Sequence, residues 1–120
     1  MTKRDVDGLL LKHVFREDID KPPKWYYENF WLQTLLCNSW FGLGLMAEEM
    51  FRRDWIPTIS HTGPNDENKW YATFHNWSNE PPYGEPPCYV VGIASTPFMA
   101  VAFAALRAVG VEIPEEEVPK

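Results

Sequence analysis

Thr96-Pro97-Phe98-Met99-Ala100-Val101-Ala102-Phe103-Ala104-Ala105-Leu106-Arg107-Ala108-Val109-Gly110 decides how this chain is read. Thr96 is a helix-capping residue. Pro97 after it presets the backbone angle of a first helical turn and carries no amide hydrogen to leave unsatisfied. Gly110 supplies the stop. Between these signals only Arg107 is charged. A helix covering one side of a small sheet needs an apolar stripe of about 100°, whereas this helix is apolar through the whole turn. Its outer side therefore needs a cover, either the N-terminal segment of the same chain or a second subunit. Alanines at 100, 102, 104, 105 and 108 allow close helix approach, so a homo-oligomer through residues 97–109 is expected.

Three strand candidates precede this helix. Trp55 to Thr62 carries β-branched and aromatic residues, Lys69 to Trp77 alternates Trp70, Ala72 and Phe74 with Tyr71, Thr73 and His75, and Cys88 to Ala94 alternates Tyr89, Val91 and Ile93 with smaller residues. Both faces of the sheet read as buried. Gly63 to Asn68 is a turn by composition, and Ser78 to Pro87 is a longer Pro-rich loop, so an antiparallel meander is the simplest connection.

Upstream, Asn38 or Ser39 caps a helix running to about Asp54, with Leu43, Met46, Ala47 and Met50 on one face and Glu48, Glu49, Arg52 and Arg53 away from it. Gly42 and Gly44 leave a start nearer Leu43 open. In residues 3–16, Val6, Leu9, Leu10, His13 and Val14 fall at helical spacing, and Asp5 and Asp7 lie near the start, where the helix dipole favours carboxylates. Asp18, Asp20, Pro22 and Pro23 break that helix. Residues 24–32 are aromatic-rich without a clean period, and helix and loop both remain open. One α+β domain results: an N-terminal helix and aromatic-rich segment (1–36) packed on a core (37–110), followed by an acidic tail (111–120).

Composition limits the function classes. The 120 residues are 45% hydrophobic and 15% aromatic, which argues for a packed domain that folds unaided. The formal charge of -6 argues against duplex DNA or an anionic membrane as the main partner, since both reward clustered Lys and Arg. Residues 1–15 mix Lys3, Arg4, Asp5, Asp7 and Lys12 among apolar residues, unlike a signal peptide, and no apolar run approaches the ~20 residues that span a bilayer. The expected location is the cytoplasm of the cell that makes the protein. Cys37 and Cys88 lie outside any paired ligand spacing and read as reduced thiols.

The sequence carries no GxGxxG, P-loop, GxSxG, HExxH or DxDxDG motif, and the reading is of a non-enzyme without cofactor or metal. His61 and His75 on neighbouring strands, with Cys88, are a conceivable metal set, but ordinary polar strand residues explain them better. Glu48 and Glu49, adjacent on a helix, point apart and read as solvated. The candidate ligand-binding residues are Arg52, Arg53, Lys69, Trp77, Tyr83 and Arg107. Aromatic faces stack on bases and Arg grips phosphate bidentately, which suits a small nucleotide-like molecule. Arg107 stands out, because a lone charge on an apolar helix needs a carboxylate, a ligand or terminal carbonyls.

Cys37-Asn38-Ser39-Trp40 leading into Met46-Ala47-Glu48-Glu49-Met50, then Lys69-Trp70-Tyr71-Ala72-Thr73-Phe74, then Ala94-Ser95-Thr96-Pro97 with Ala100 to Ala108, resembles the phage ABA-sandwich domain and the related NinX-type phage proteins. The resemblance covers about residues 37–110. It implies an α-β-α sandwich, with a three-stranded or four-stranded antiparallel sheet between helices, and a phage-encoded protein in the host cell cytoplasm. The sequence departs from that pattern in residues 15–36 and in the Pro-rich loop. By analogy of size and origin with phage sponge proteins such as the Thoeris anti-defence proteins, the expected function is sequestration of a cyclic nucleotide or cyclic ADP-ribose type immune signal. The alternative is an accessory protein acting by contact with a host or phage protein.

Overall fold

The computed structural model describes residues 2–17, 24–29, 35–61, 69–76 and 89–112. Helix α1 (Lys3–Leu9) runs directly into a π-helical turn (Leu10–Val14). Helix α2 (Lys24–Asn29), a 3-10 turn (Leu36–Asn38) and helix α3 (Trp40–Phe51) follow. Strands β1 (Trp55–His61), β2 (Trp70–Asn76) and β3 (Tyr89–Ala94) form an antiparallel sheet in the order β1-β2-β3, and helix α4 (Pro97–Ala108) closes the chain's described part. The protein is thus α+β, with a three-stranded antiparallel sheet packed by α3 and α4.

The helix boundaries follow local chemistry. Thr96 Oγ1 accepts the Met99 amide at 3.2 Å, and Ser39 Oγ accepts the Gly42 amide at 3.0 Å, so each cap satisfies an amide with no partner inside its helix. Thr2 and Asp5 form a reciprocal capping box at the start of α1. Asp54, with φ 67, reverses the chain between α3 and β1, a left-handed conformation that Asp tolerates better than most residues. Of the open choice at residues 24–32, the described part is helical to Asn29.

Sheet register decides which residues meet the helices. Phe74 pairs with Pro57 and Val90, and Ala72 with Ile59 and Gly92; these share the face on which α4 lies, and Phe74 and Ala72 are buried. The opposite face, expected to be buried, is half open to solvent. Its row Ile56, His75 and Tyr89 leaves Ile56 and Tyr89 exposed. Among the described residues no helix packs there to supply the missing contacts, because α3 and α4 contact each other as well as the sheet.

Helix α4 is the middle of the molecule. One side packs on β2 and β3, and the rest meets α3, the 3-10 turn and the π-helical turn, so every residue from Met99 to Leu106 is buried. This explains the all-round apolarity without a second subunit: the N-terminal segment and α3 supply the cover. The stretch that was to form a homo-oligomer, residues 97–109, offers no free apolar face between 99 and 106.

A buried carboxylate holds that cover in place. Asp7 is 1% exposed and accepts hydrogen bonds from the Tyr26 hydroxyl at 2.7 Å and from the Leu36 and Cys37 amides at 2.9 Å each. Asp7 therefore serves as more than the dipole partner read from its position: it ties α1 to α2 and to the 3-10 turn that precedes α3. Burial pushes the Tyr26 phenol and the Cys37 thiol well above their ordinary ranges, and the neighbouring Asp7 adds to both shifts. The unfolded chain releases these protons first, so their contribution is complete below about pH 8.5, where the unfolded thiol begins to ionise, and declines progressively as pH rises from there toward the raised folded-state values. Stability is expected to hold from pH 7 to about 8.5 and then fall. In Cys88→Ser protein, Cys37 should label with a disulfide reagent only as fast as the chain unfolds; labelling at the rate of a free thiol would contradict this account.

Candidate functional site

Helix α3 buries Gly42, Met46 and Met50 and turns Phe41, Leu45, Glu48 and Arg52 the other way, a repeat of three and four residues. The outward face is only partly polar. Opposite it, the π-helical turn ends at Phe15, and Arg16 adopts a left-handed conformation with φ 58 before Glu17. The Glu17 amide donates back to the Leu11 carbonyl at 2.7 Å, fixing this reversal. Helix α2 then places Trp25 with its ring 5.3 Å from Phe15, at an interplanar angle of 58°.

Between these walls lies an open groove of about 260 Å³. Among the described residues, Phe15, Trp25 and Leu45 form its apolar surface, and Glu17, Glu48, Glu49 and Arg52 its polar surface, three carboxylates against one guanidinium. Glu48 and Glu49 do not act as separate solvated groups, as their adjacency suggested. Both reach Arg52, Glu48 at 2.7 Å and Glu49 at 3.0 Å, each bonding a different guanidinium nitrogen. Arg53 lies 3.5 Å from Glu49 and also donates to the Val14 carbonyl, which joins the end of α3 to the π-helical turn. On the same helix, outside the groove's lining, Trp40, Phe41 and Phe51 are 66%, 55% and 63% exposed. Trp40 meets Phe98 edge-on, with centroids 4.9 Å apart.

The six residues singled out from sequence are dispersed. Arg52 and Arg53 lie at the α3–β1 junction, with the partners just described. Lys69 precedes β2 at its His61 end, while Arg53 precedes β1 at the end paired with Asn76, about 20 Å away along the strands. Arg107 donates to the Val91 carbonyl of β3 at 2.5 Å, on the other edge of the sheet. Its demand for a partner is met at least there, by backbone. Trp77 and Tyr83 lie outside the described residues, as does Cys88. His61 and His75 stand five rows apart on opposite sheet faces, so they cannot share a metal. Among the described residues no group of His, Cys, Asp and Glu is placed to hold a metal ion, and no helix is long and apolar enough to cross a membrane.

Sequence reasoning missed Phe15, Glu17, Trp25 and Leu45. The available signal was that Phe41, Leu45 and Phe51 fall outside the buried stripe of α3, an apolar surplus that a fully solvated face does not need.

No protein-family model and no curated protein matches the sequence. The fold is similar to that of a phage protein from Bacillus cereus ATCC 14579, known from a 2.0 Å crystal structure, with a TM-score of 0.68 and 19% identity. The alignment covers 95% of this chain and 93% of that one. At this identity the likeness is one of fold. It extends beyond the core expected from the sequence, which covered only residues 37–110.

Proposed function

We propose that this chain is a phage-encoded, non-enzymatic binding protein that acts by contact with another protein, of host or phage, through the outer face of α3. The phage origin draws on the fold shared with the Bacillus cereus phage protein. The observation that carries the mode of action is the exposure of Trp40, Phe41 and Phe51 along one helix. Large exposed rings grouped on a surface mark interaction sites, and aromatic side chains dominate the energetics of such sites.

Sequestration of a cyclic nucleotide or cyclic ADP-ribose signal is the second reading, and it asks Arg52, Arg53 and Arg107 to grip phosphate. Each of these donates within the chain, to carboxylates or to backbone carbonyls. The groove of about 260 Å³ also falls below the roughly 300–1,000 Å³ usual for drug-sized ligands. Both features favour a protein partner.

Affinity capture from host lysate, with wild type and Phe41→Ser/Phe51→Ser compared, separates the readings. A protein retained by wild type and lost with the double variant is expected. Equal retention by both would overturn the assignment of this face. A concentration-dependent rise in melting temperature with cyclic dinucleotides, cyclic trinucleotides or cyclic ADP-ribose isomers would transfer the function to signal sequestration.

A further inference from the structure

We infer that the groove between α3 and the N-terminal segment receives an arginine side chain of the protein partner, and that Arg52 is the internal occupant which this side chain displaces. The inference rests on the protein-contact reading above and names the chemistry of the contact.

Three features converge. The groove's lining carries Glu17, Glu48 and Glu49 against Arg52, so it remains acidic with that guanidinium in place. Counting Arg53 at 3.5 Å from Glu49 still leaves, among the described residues, three carboxylates against two guanidinium groups. The second feature is the aromatic wall. Phe15 and Trp25, tilted at 58° to each other, offer a ring face and apolar surface to a flat cation on an aliphatic stem. The third is Arg52 itself, which shows what the carboxylates hold: its two terminal nitrogens bond Glu48 and Glu49 separately.

That internal pairing is easily exchanged. The Arg52 side chain is 65% exposed and Glu48 61% exposed, whereas Glu49 is 22% exposed. Exposed ion pairs of this kind contribute little, because water screens them and holding two long side chains costs entropy. Arg52 can swing into solvent without leaving a buried charge, and an incoming guanidinium can take over both carboxylates. The volume of about 260 Å³ suits one long side chain better than a folded peptide or a nucleotide. Phe41 and Phe51, exposed on the same helix but outside the groove's lining, belong to the wider protein contact and not to the arginine site itself.

The experiment uses acetyl-arginine amide as probe and follows the Trp25 indole resonance, assigned with Trp25→Phe. Saturable shifts in the millimolar range are expected, with at least tenfold weaker binding of the neutral citrulline analogue and weakening as salt is raised. The decisive variant is Arg52→Ala. Removal of the competing guanidinium should tighten binding of the arginine probe about three- to tenfold, whereas a phosphate-gripping Arg52 would leave the probe unaffected. Unchanged or weaker binding by Arg52→Ala overturns the inference. Glu17→Gln should weaken binding several-fold with an unchanged melting temperature, and no change in affinity would count against the acidic lining. Spermidine is a parallel arm; tighter binding of spermidine than of the arginine probe would overturn the protein side chain in favour of a free polyamine. Phe41→Ser/Phe51→Ser should retain probe binding while losing the protein partner. Absence of probe binding alongside intact partner capture would reject the groove assignment and leave the protein-contact reading standing.

Discussion

Asp7→Ala is expected to remove about 3–5 kcal/mol of folding stability, because it strips the shared acceptor from a buried hydrogen-bond network. The substitution leaves three buried donors without their acceptor: the Tyr26 hydroxyl and the Leu36 and Cys37 amides. Each buried unsatisfied group costs about 1–3 kcal/mol, and the whole stability of a domain is about 5–15 kcal/mol. The folded population should therefore be marginal in mild urea. Asp7→Asn does not rescue it fully. With the amide oxygen in the place of Oδ2, serving Tyr26 and Leu36, the amide nitrogen in the place of Oδ1 opposes the Cys37 N–H, donor against donor. Urea unfolding followed by circular dichroism measures the loss. A shift under 1 kcal/mol for Asp7→Ala would show that α1 is held by apolar packing alone. Hydrogen exchange adds a spatial test, since the amides of Leu36 and Cys37 should lose protection before those of α4.

Gly92→Ala is expected to cost roughly 3 kcal/mol, at the upper end of what inserted methyl groups cost in packed cores. A Cβ at this position would fall on the Ala100 carbonyl oxygen, 2.6 Å from the Ala104 amide nitrogen and 3.1 Å from Phe103 Cβ. Two of these three neighbours are backbone atoms of α4, which no rotamer change can move. Relief therefore requires α4 to lift from β3 as a unit. Because α4 is also in contact with α3 and both N-terminal turns, its displacement disturbs each layer. A fall in melting temperature of about 10 °C is expected from the entropy scale of a domain this size. Gly44→Ala is the control on α3, where an added Cβ meets nothing within 4 Å and the helix gains propensity. Similar losses at both glycines would show that close packing of α4 on β3 is not the reason Gly92 matters.

These two positions show where sequence reading stops. Thr96, Pro97 and Gly110 mark the bounds of α4 because capping and termination act over three or four residues. The alternation in Lys69 to Trp77 marks β2 because side chains switch face at every residue. Asp7 carries a local meaning, a carboxylate near a helix start, which its partners 19 to 30 residues away override. Gly92 looks like a weak point in a strand, and only the approach of α4 gives it a purpose. Arg107 stands out in sequence as a lone charge in need of a carboxylate, a ligand or its own helix's terminal carbonyls, whereas a backbone carbonyl of the sheet's edge strand accepts from it.

The sequence by itself determined the α+β class, the three strands in a meander, the cap of α4, and the need of α4 for cover on every side, while for α3 it left Asn38 and Ser39 as alternative caps. These rest on local periodicity and on hydrogen bonds between near neighbours, which the order of residues dictates. Tertiary structure decided what the cover is, that one sheet face stays half open, and that Phe15, Glu17 and Trp25 come to face Leu45 and Arg52 across a groove. Those outcomes depend on how far apart in the chain the contacting residues lie. Burial of α4 between the sheet and the N-terminal helices satisfies its apolar surface within one chain, and the aromatic residues left exposed on α3 are the surface we propose for a partner.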